Sequence, residues 1–389
     1  MAVDQTPAST HQASPGLAQT LDTETEKVYV ASNWQLMWWK FRKHRLAVVS
    51  TVIVLLFYLV AVFCEFIAPY DPQAKFAKYK LAPPTTIRLV DVNGNWHMPF
   101  VHKTTRELNM ETGRSTYPED ETVLYPVLLF VQGHEYKLWG LFPTDRHLFG
   151  LTVPHEEQGL FLFGTDALGR DLFSRVAYGA RLSLSIGLVG VFMSMTLGLF
   201  LGGISGYYGG LVDDIIQRVI EFLRSMPGTP LWMALSAALP ADWPVIRIYF
   251  GITVILSFLG WTGMARVVRG RFLAMREEDF VMAAKLVGAG ELRIIGRHML
   301  PSFLSHMIAS MTLSIPGMIL GETGLSFLGL GLREPAISWG VLLSDAQNVA
   351  SLLISPWRMW APALSVVIVV LAFSFMGDGM RDAADPYAR

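Results

Sequence analysis

Charged side chains are scarce in this chain, so each cluster of them calls for a use. Asp166, Arg170, Asp171 and Arg175 alternate in sign over about three helical turns. Paired acids and bases can move protons in an enzyme, but no nucleophile with its base accompanies them, and no His-Glu-x-x-His metal pattern occurs. The spacing suits an amphipathic helix at a membrane surface, with Leu168, Leu172 and Val176 turned to lipid or to neighbouring helices. A second cluster runs from Arg276 to Ser302, REEDFVMAAKLVGAGELRIIGRHMLPS. Glu277, Glu278 and Asp279 fit a first helical turn, where the helix dipole favours acids, and Phe280, Ala283, Ala284 and Val287 follow at helical spacing. Gly288 and Gly290 break that helix, a run from Glu291 brings Arg293, Arg297 and His298, and Pro301 sets a boundary. The segment reads either as an ordinary amphipathic connector between spans or, with two short helices meeting at a glycine turn and alanines in place of bulky side chains, as a knob that another subunit can approach closely.

Other chemistries find less support. His97, His102, His134, His147 and His155 are scattered without tight ligand spacing, so solvated or structural roles are expected and no metal site. The single cysteine, Cys64, allows no intrachain disulfide and reads as a small hydrophobe within an apolar run. A net charge of -1 offers no basic face for nucleic acid. No Gly-x-x-x-x-Gly-Lys-Ser/Thr loop occurs, so the chain is not expected to hydrolyse ATP by that route. Glu322, at the end of an apolar run, is the carboxylate best placed to serve an ion-coupled transporter.

The elements that must position these residues belong to a bilayer. Of 389 residues, 52% are hydrophobic and only 16% charged, against the roughly 25% charged of an ordinary soluble domain. A polar stretch of about 25 residues opens the chain and reads as a disordered tail. Lys40, Arg42, Lys43, His44 and Arg45 then precede an uncharged run from Leu46 to Cys64, which predicts a first span with its basic end in the cytoplasm. Residues 69–162 are polar and turn-rich, with PPTT at Pro83, DVNGN at Asp91 and ETGRSTYPEDE at Glu111. Within them IRLVD, VLLFVQG and HEYKLWGLF predict short strands, and Asn93-Gly94 a tight hairpin. Further spans are expected over Leu182–Val212, ending at GYYGG, over Ser225–Ala241, bent by Pro227 and Pro230, and over Ile248–Ala265. A fifth, broken by Pro316 and Gly317, reaches Leu320, and a sixth covers Met359–Gly377. The glycine-rich run Gly321–Gly340 between them reads as re-entrant or extracytoplasmic. The connection 266–298 carries more basic than acidic residues, which places it in the cytoplasm by charge as well as by counting spans.

The Arg276–Ser302 segment resembles the coupling motif of bacterial ABC importer permeases, Glu-Ala-Ala, three residues, Gly, nine residues, an apolar position, one residue, Leu-Pro. Ala283, Ala284, Gly288, Leu300 and Pro301 match it, while Met282 stands at the usual glutamate. The Arg297-His298 pair is similar to one common in the peptide branch. FGTD, two residues, GRD, two residues, SR, two residues, YG, one residue, R, one residue, SL also resembles the dipeptide and oligopeptide permeases. So do ETGLSFLGLG, three residues, P, two residues, SWG and the terminal GDGMRDAADP. The chain is therefore identified as resembling the permease subunits of the dipeptide, oligopeptide and nickel ABC importers.

That resemblance implies an all-α polytopic membrane protein with six transmembrane helices of the type I importer fold, plus an extracytoplasmic insertion of mixed or partly β structure. Its parts are a cytoplasmic tail and lead-in (1–39), a basic cluster with the first span (40–68), the insertion (69–162), a permease core with five spans (163–380) holding a coupling loop (266–301), and a cytoplasmic tail (381–389). It implies an inner-membrane location with both termini cytoplasmic. The partners implied are a second homologous permease, two ATP-binding subunits that hold ATP and Mg, and an extracytoplasmic solute-binding protein. Met282, Ala283, Ala284, Gly288, Arg293, Arg297, His298 and Pro301 would meet the ATPase; Asp166, Arg170, Asp171 and Arg175 form the membrane-edge motif. Pro227, Pro230, Pro316 and Glu322 are the pore or gating positions. Di- and oligopeptides are the first cargo, with nickel chelates, opines and oligosaccharides as alternatives.

Overall fold

The computed structural model describes residues 33–384 except 93, 109, 111–114, 155, 156, 241 and 348–352. The expectations for the tail up to residue 32, for Asn93, for the turn at 111–114, for His155 and for residues 385–389 lie outside the described residues.

Two helices meet at the basic cluster. Helix α1 (Asn33–Lys43) stops there, and His44 leaves helical geometry so that its Nδ1 accepts from the Ala47 N–H at 3.1 Å, capping α2 (Arg45–Val62). The cap starts a helix with no charge after Arg45. At 1.5 Å per residue its 18 residues measure about 27 Å, barely the hydrocarbon thickness. A single turn, α3 (Cys64–Ile67), leads out of it, and Glu65 on that turn receives both terminal nitrogens of Arg181, at 2.7 and 2.6 Å. Burial, the largest single effect, would raise the Glu65 carboxyl, but the bonds and charge of Arg181 together with smaller hydrogen-bond effects hold the group below its ordinary value.

The insertion that follows is an antiparallel sheet in the order β1-β2-β5-β6, from β1 (Arg88–Val90), β2 (Trp96–Thr104), β5 (Glu119–Leu138) and β6 (Phe142–Leu151). A small ladder joins β3 (Glu107–Leu108) to β4 (Ser115–Thr116). Asp91 accepts from the Gly94 N–H at 3.1 Å, and Gly94 takes φ +84°, closing the first hairpin. The two strands expected over VLLFVQG and HEYKLWGLF are one 20-residue strand, β5, which ends at Leu138; the register shift between Gln132 and Tyr136 replaces the expected break. Val101, Tyr125, Leu151 and Leu160 form its core.

Residues 163–171 depart from the expected surface helix. They form turns, with Gly164 at φ +72° and Gly169 at φ +81°, and helix begins only after Asp171, which caps α4 (Leu172–Tyr208) by accepting from the Ser174 N–H at 2.8 Å. The charges of this stretch are buried against protein and do not face lipid. Helix α4 then packs along α7 (Val245–Met275) through Gly198, Gly202 and Gly206. A Cβ on Gly202 would stand 2.4 Å from the Ala265 carbonyl oxygen, so the close approach requires glycine.

Gly209 and Gly210, both at positive φ, end α4 where GYYGG predicts a break. The expected third span is not one helix. Helix α5 (Gly210–Ser225) carries five charged side chains, and α6 (Gly228–Ala237) has only 10 residues, about 15 Å of helix. Pro227 takes the cap position and Pro230 the first turn of α6, where a missing N–H is harmless. Together α5 and α6 still carry the chain from one end of the bundle to the other: Asp213 pairs with Arg269 near the end of α7, while Leu239, just past α6, lines a recess with residues 330–336.

Helix α8 (Asp279–Leu286) precedes the turn at Gly288. Helix α9 (Leu304–Phe327) runs through Pro316 and Gly317 without the expected break, because a membrane helix tolerates a lost N–H where surrounding helices pack around it. Short α10 (Trp339–Asp345) and long α11 (Trp357–Ala384) complete the bundle. Among the described residues, five helices are long and apolar enough to cross a bilayer: α2, α4, α7, α9 and α11.

Candidate functional site

At the end of the bundle opposite the insertion, the Arg276–Ser302 segment folds as two short helical pieces around a glycine turn. The Ala289 N–H reaches back to the Ala284 carbonyl at 3.0 Å, and Gly288, at φ +78°, supplies the left-handed residue this closure needs. One face is buried: Val281, Ala284, Ile294 and Met299 pack with Met264, Val268 and Phe272 of α7 and with Phe303 and Met307. The two alanines therefore point apart, Ala284 inward and Ala283 outward. Past the turn, Ile294–Met299 widens into a π turn before Leu300-Pro301, with Pro301 exposed and His298 half-buried.

The outward face is apolar. Phe280 and Met282 are partly exposed, and Leu286, Val287 and Leu292 are 87%, 83% and 87% exposed, values that leave them almost no contact within the chain. Arg293 and Arg297 are exposed beside them and make no ion pair among the described residues. The segment is tied to the bundle at its rear. Tyr208 donates to Glu291 at 2.7 Å and Lys285 lies over the Tyr207 ring at 5.8 Å; within the bundle itself, Asp213 of α5 accepts two bonds from Arg269 of α7.

At the insertion end, the alternating charges gather with partners from far along the chain. Asp166 accepts from Arg170 at 2.6 Å and from Arg175 at 2.7 Å. The same two arginines reach Glu334 at 2.7 and 2.9 Å and Asp345 at 3.8 and 3.4 Å. Arg358 adds a bond to the Asp345 carbonyl at 2.6 Å. Glu334 holds the shorter bonds: burial works against it, but Arg170 keeps its carboxyl below the ordinary range, whereas burial pushes Asp345 up. The cluster clamps the α9–α10 connection to the start of α4. Glu334, Asp345 and Arg358 escaped the sequence reading; isolated charges inside the apolar C-terminal third were the available signal.

Asp171 lies beside this clamp, fully enclosed, with one carboxyl oxygen serving the α4 cap and the other without a partner. Burial raises its pKa to about 7, against the lowering effect of Ser174. A carboxyl raised on folding favours the folded state fully below its unfolded pKa of about 4, and that contribution is lost as pH rises through about 7. Asp171→Asn keeps a capping oxygen without the charge. Melting of the solubilised protein between about pH 5 and about pH 8 is expected to fall less in this variant than in the parent; equal slopes would dismiss Asp171 as a source of pH dependence.

Glu322 is enclosed by hydroxyls. Ser183 donates to it at 3.1 Å and Ser326 and Ser338 at 2.8 Å each, joining α4, α9 and the start of α10. Ser183 in turn accepts the Trp339 N–H, and Ser338 that of Val341. This geometry fixes α10 against the bundle and offers no charged relay. Pro316 is buried in α9, while Pro227 and Pro230 are exposed beside a recess of about 370 Å³ lined by Trp232, Leu259 and Thr262. Of the histidines, His97 pairs with Asp91 at 3.0 Å, His134 stacks on His147 at 4.5 Å, and His102 is buried. Among the described residues no three His, Cys, Asp or Glu side chains gather as a metal site.

Comparison with known proteins places this geometry. Residues 196–389 match the binding-protein-dependent transport system inner membrane component, and residues 32–84 the N-terminal transmembrane domain of oligopeptide transport permease C. The oligopeptide transport system permease protein OppC of Haemophilus influenzae is 41% identical over 232 residues, 60% of this chain and 72% of that one. The chain belongs to the binding-protein-dependent inner-membrane permeases, in the oligopeptide permease C branch. Two Bacillus subtilis proteins are also similar to this permease. The dipeptide transport system permease protein DppC is 40% identical over 228 residues, covering 58% of this chain and 69% of its own. OppC is 37% identical over 227 residues, covering 58% and 72%. Among solved structures, a chain of the MetNI methionine ABC transporter in an inward-facing conformation aligns at 18% identity with a TM-score of 0.42, covering 55% of this permease and 98% of that chain. Neither family description covers residues 85–195, which hold the whole sheet and much of α4.

Proposed function

We propose that this permease forms one half of a peptide pathway across a bacterial cytoplasmic membrane, paired with a second homologous permease. Two ATP-binding subunits beneath it hold ATP and Mg, and an extracytoplasmic binding protein delivers di- or oligopeptides. The observation that carries this is the knob at 276–302. Its rear is packed into the bundle and tied to α4, while its front exposes Phe280, Met282, Leu286, Val287 and Leu292 beside Arg293 and Arg297, which make no ion pair among the described residues. An apolar patch rimmed by basic groups, at the end of a membrane bundle, is suited to a soluble partner. With Met282 at the usual glutamate, the contact rests on shape and apolar area, and the arginines would meet acidic groups of the ATPase.

On this reading α5 and α6 together make the third of six crossings, both termini are cytoplasmic, and the sheet is extracytoplasmic, where it receives or orients the binding protein. The breaks at Pro227 and Pro230, with Pro316 in α9, border the pathway and permit inward- and outward-facing arrangements. The enclosure of Glu322 by three serines supports a bracket and weighs against an ion-coupled transporter. Uptake of labelled tripeptides, nickel chelates, opines and oligosaccharides by cells with and without the permease tests the cargo. Selective loss of peptide uptake is expected; loss of sugar, opine or nickel uptake with peptide uptake intact would overturn the assignment.

A further inference from the structure

The β5–β6 hairpin ends in an apolar tip for which the fold supplies no cover. Trp139, Leu141 and Phe142 at the tip are 47%, 72% and 59% exposed, and Leu129 and Phe130 farther up β5 are exposed as well. A soluble domain gains nothing from such a tip, and turn positions ordinarily favour polar residues and glycine.

Its position is fixed by the first span. The Trp139 indole N–H donates to the carbonyl of Val62, the last residue of α2, at 2.8 Å, and its ring packs on Phe63 at 5.5 Å. Phe130 meets Phe66, one turn farther from the span, at 6.1 Å. Because α2 is only about 27 Å long, it must use its whole length to cross the hydrocarbon, and Val62 then stands at the boundary. Trp139 stands there with it. Leu55, Leu56, Leu59 and Val62 form an exposed apolar surface on α2 that must face lipid or another subunit, and the hairpin tip continues it. Indole and phenyl rings at the depth of the headgroups are the ordinary anchors of membrane proteins.

We propose that the β5–β6 tip is a membrane anchor: Trp139, Leu141 and Phe142 insert into the headgroup–acyl boundary of the leaflet on the insertion side, and so fix the tilt of the sheet over the bundle. The occupant of this surface is lipid, since the tip adjoins the end of a lipid-crossing helix and its outermost side chains, Leu141 and Phe142, carry no charge. Polar strand neighbours such as Gln132 and Asp145 bond each other farther up the hairpin.

Spin labels measure this directly. In a Cys64→Ala background, the full chain carrying Leu141→Cys, Leu56→Cys or Glu121→Cys is labelled and placed in vesicles of phosphatidylethanolamine and phosphatidylglycerol. Collision rates with oxygen, which concentrates in lipid, and with a water-soluble nickel chelate are compared. Leu56 on α2 and Glu121 at the far end of β5 calibrate lipid and water. The oxygen-to-nickel ratio at Leu141 is expected several-fold above that at Glu121, and Leu141→Cys with Trp139→Asp and Phe142→Asp to fall back toward the water value. A Leu141 label as open to nickel as Glu121 would overturn the anchor. A label shielded from both reagents would overturn it too, by showing a protein partner on the tip.

Discussion

Arg175→Met is expected to lower the melting temperature of the solubilised permease by several degrees, and Arg175→Lys to recover only part of the loss. Arg175 is 1% exposed and divides its guanidinium between Asp166 at 2.7 Å and Glu334 at 2.9 Å. Removing one partner of a buried pair costs about 3–5 kcal/mol, chiefly because the other charge stays buried alone. Here Arg170 keeps its own bonds to Asp166 and Glu334, so the lower end, about 3 kcal/mol, is expected. Lysine carries the charge but not the planar fork, whose two terminal nitrogens here reach Asp166 and Glu334 separately. Adding Asp166→Asn to Arg175→Met removes the negative charge left in excess in the cluster and should restore part of the stability, an interaction a double-mutant cycle reads as non-additive. An unchanged melting temperature in Arg175→Met would remove the clamp as a stabilising device. Because Glu334 and Asp345 lie in and after the α9–α10 connection, the same variant is expected to make residues 328–338 more open to exchange with solvent.

Legibility in the sequence followed the distance over which each feature is decided. The turn at Gly288 was readable because it is local: a helix ending at a residue that must take positive φ announces itself by glycine. The ends of α2 were readable for a similar reason, since a basic cluster and a long uncharged run are set by the bilayer rather than by any neighbour. Asp166, Arg170 and Arg175 were visible as a charged group but assigned to a membrane surface, because their true partners, Glu334 and Asp345, stand 159 and 170 positions beyond Arg175. Only the folded bundle brings them together. The prolines misled in opposite ways. Pro227 caps α6 and parts it from charged α5 more completely than a bend would, and Pro230 sits in the first turn of α6, while Pro316 sits within unbroken α9. A proline's effect depends on whether surrounding helices hold the backbone, and composition does not report that. In the sheet, the glycine and histidine in the middle of β5 look like turn residues, but pairing with β6 carries the strand through them with a register shift.

On the proposed assembly, Val287→Asp together with Leu292→Asp is expected to strip the ATP-hydrolysing subunits from the purified permease while leaving its own fold intact. Both side chains are more than four-fifths exposed and make almost no contact within the chain, so the bundle gains little from them. At an interface the same atoms become costly to change. Apolar anchors at the centre of a patch each contribute about 1–2 kcal/mol or more, and a carboxylate buried there without a partner adds its own desolvation cost. Gly288→Val makes a different perturbation. No atom lies within 4 Å of the position a Cβ would take, so the added side chain meets open space, but a β-branched residue at φ +78° strains the turn by roughly 1–2 kcal/mol. The patch survives, displaced relative to α7 and α9 behind it. ATP can favour one orientation of the spans only through a contact that differs between the two states, and a displaced knob weakens that difference without abolishing binding. Co-purification and ATPase rate should therefore be largely retained in Gly288→Val while peptide uptake falls, whereas the double aspartate variant loses the associated subunits and uptake together. Full retention of the ATPase by the double aspartate variant would show that this face is not where the energy enters, and normal uptake by Gly288→Val would show that the turn transmits nothing.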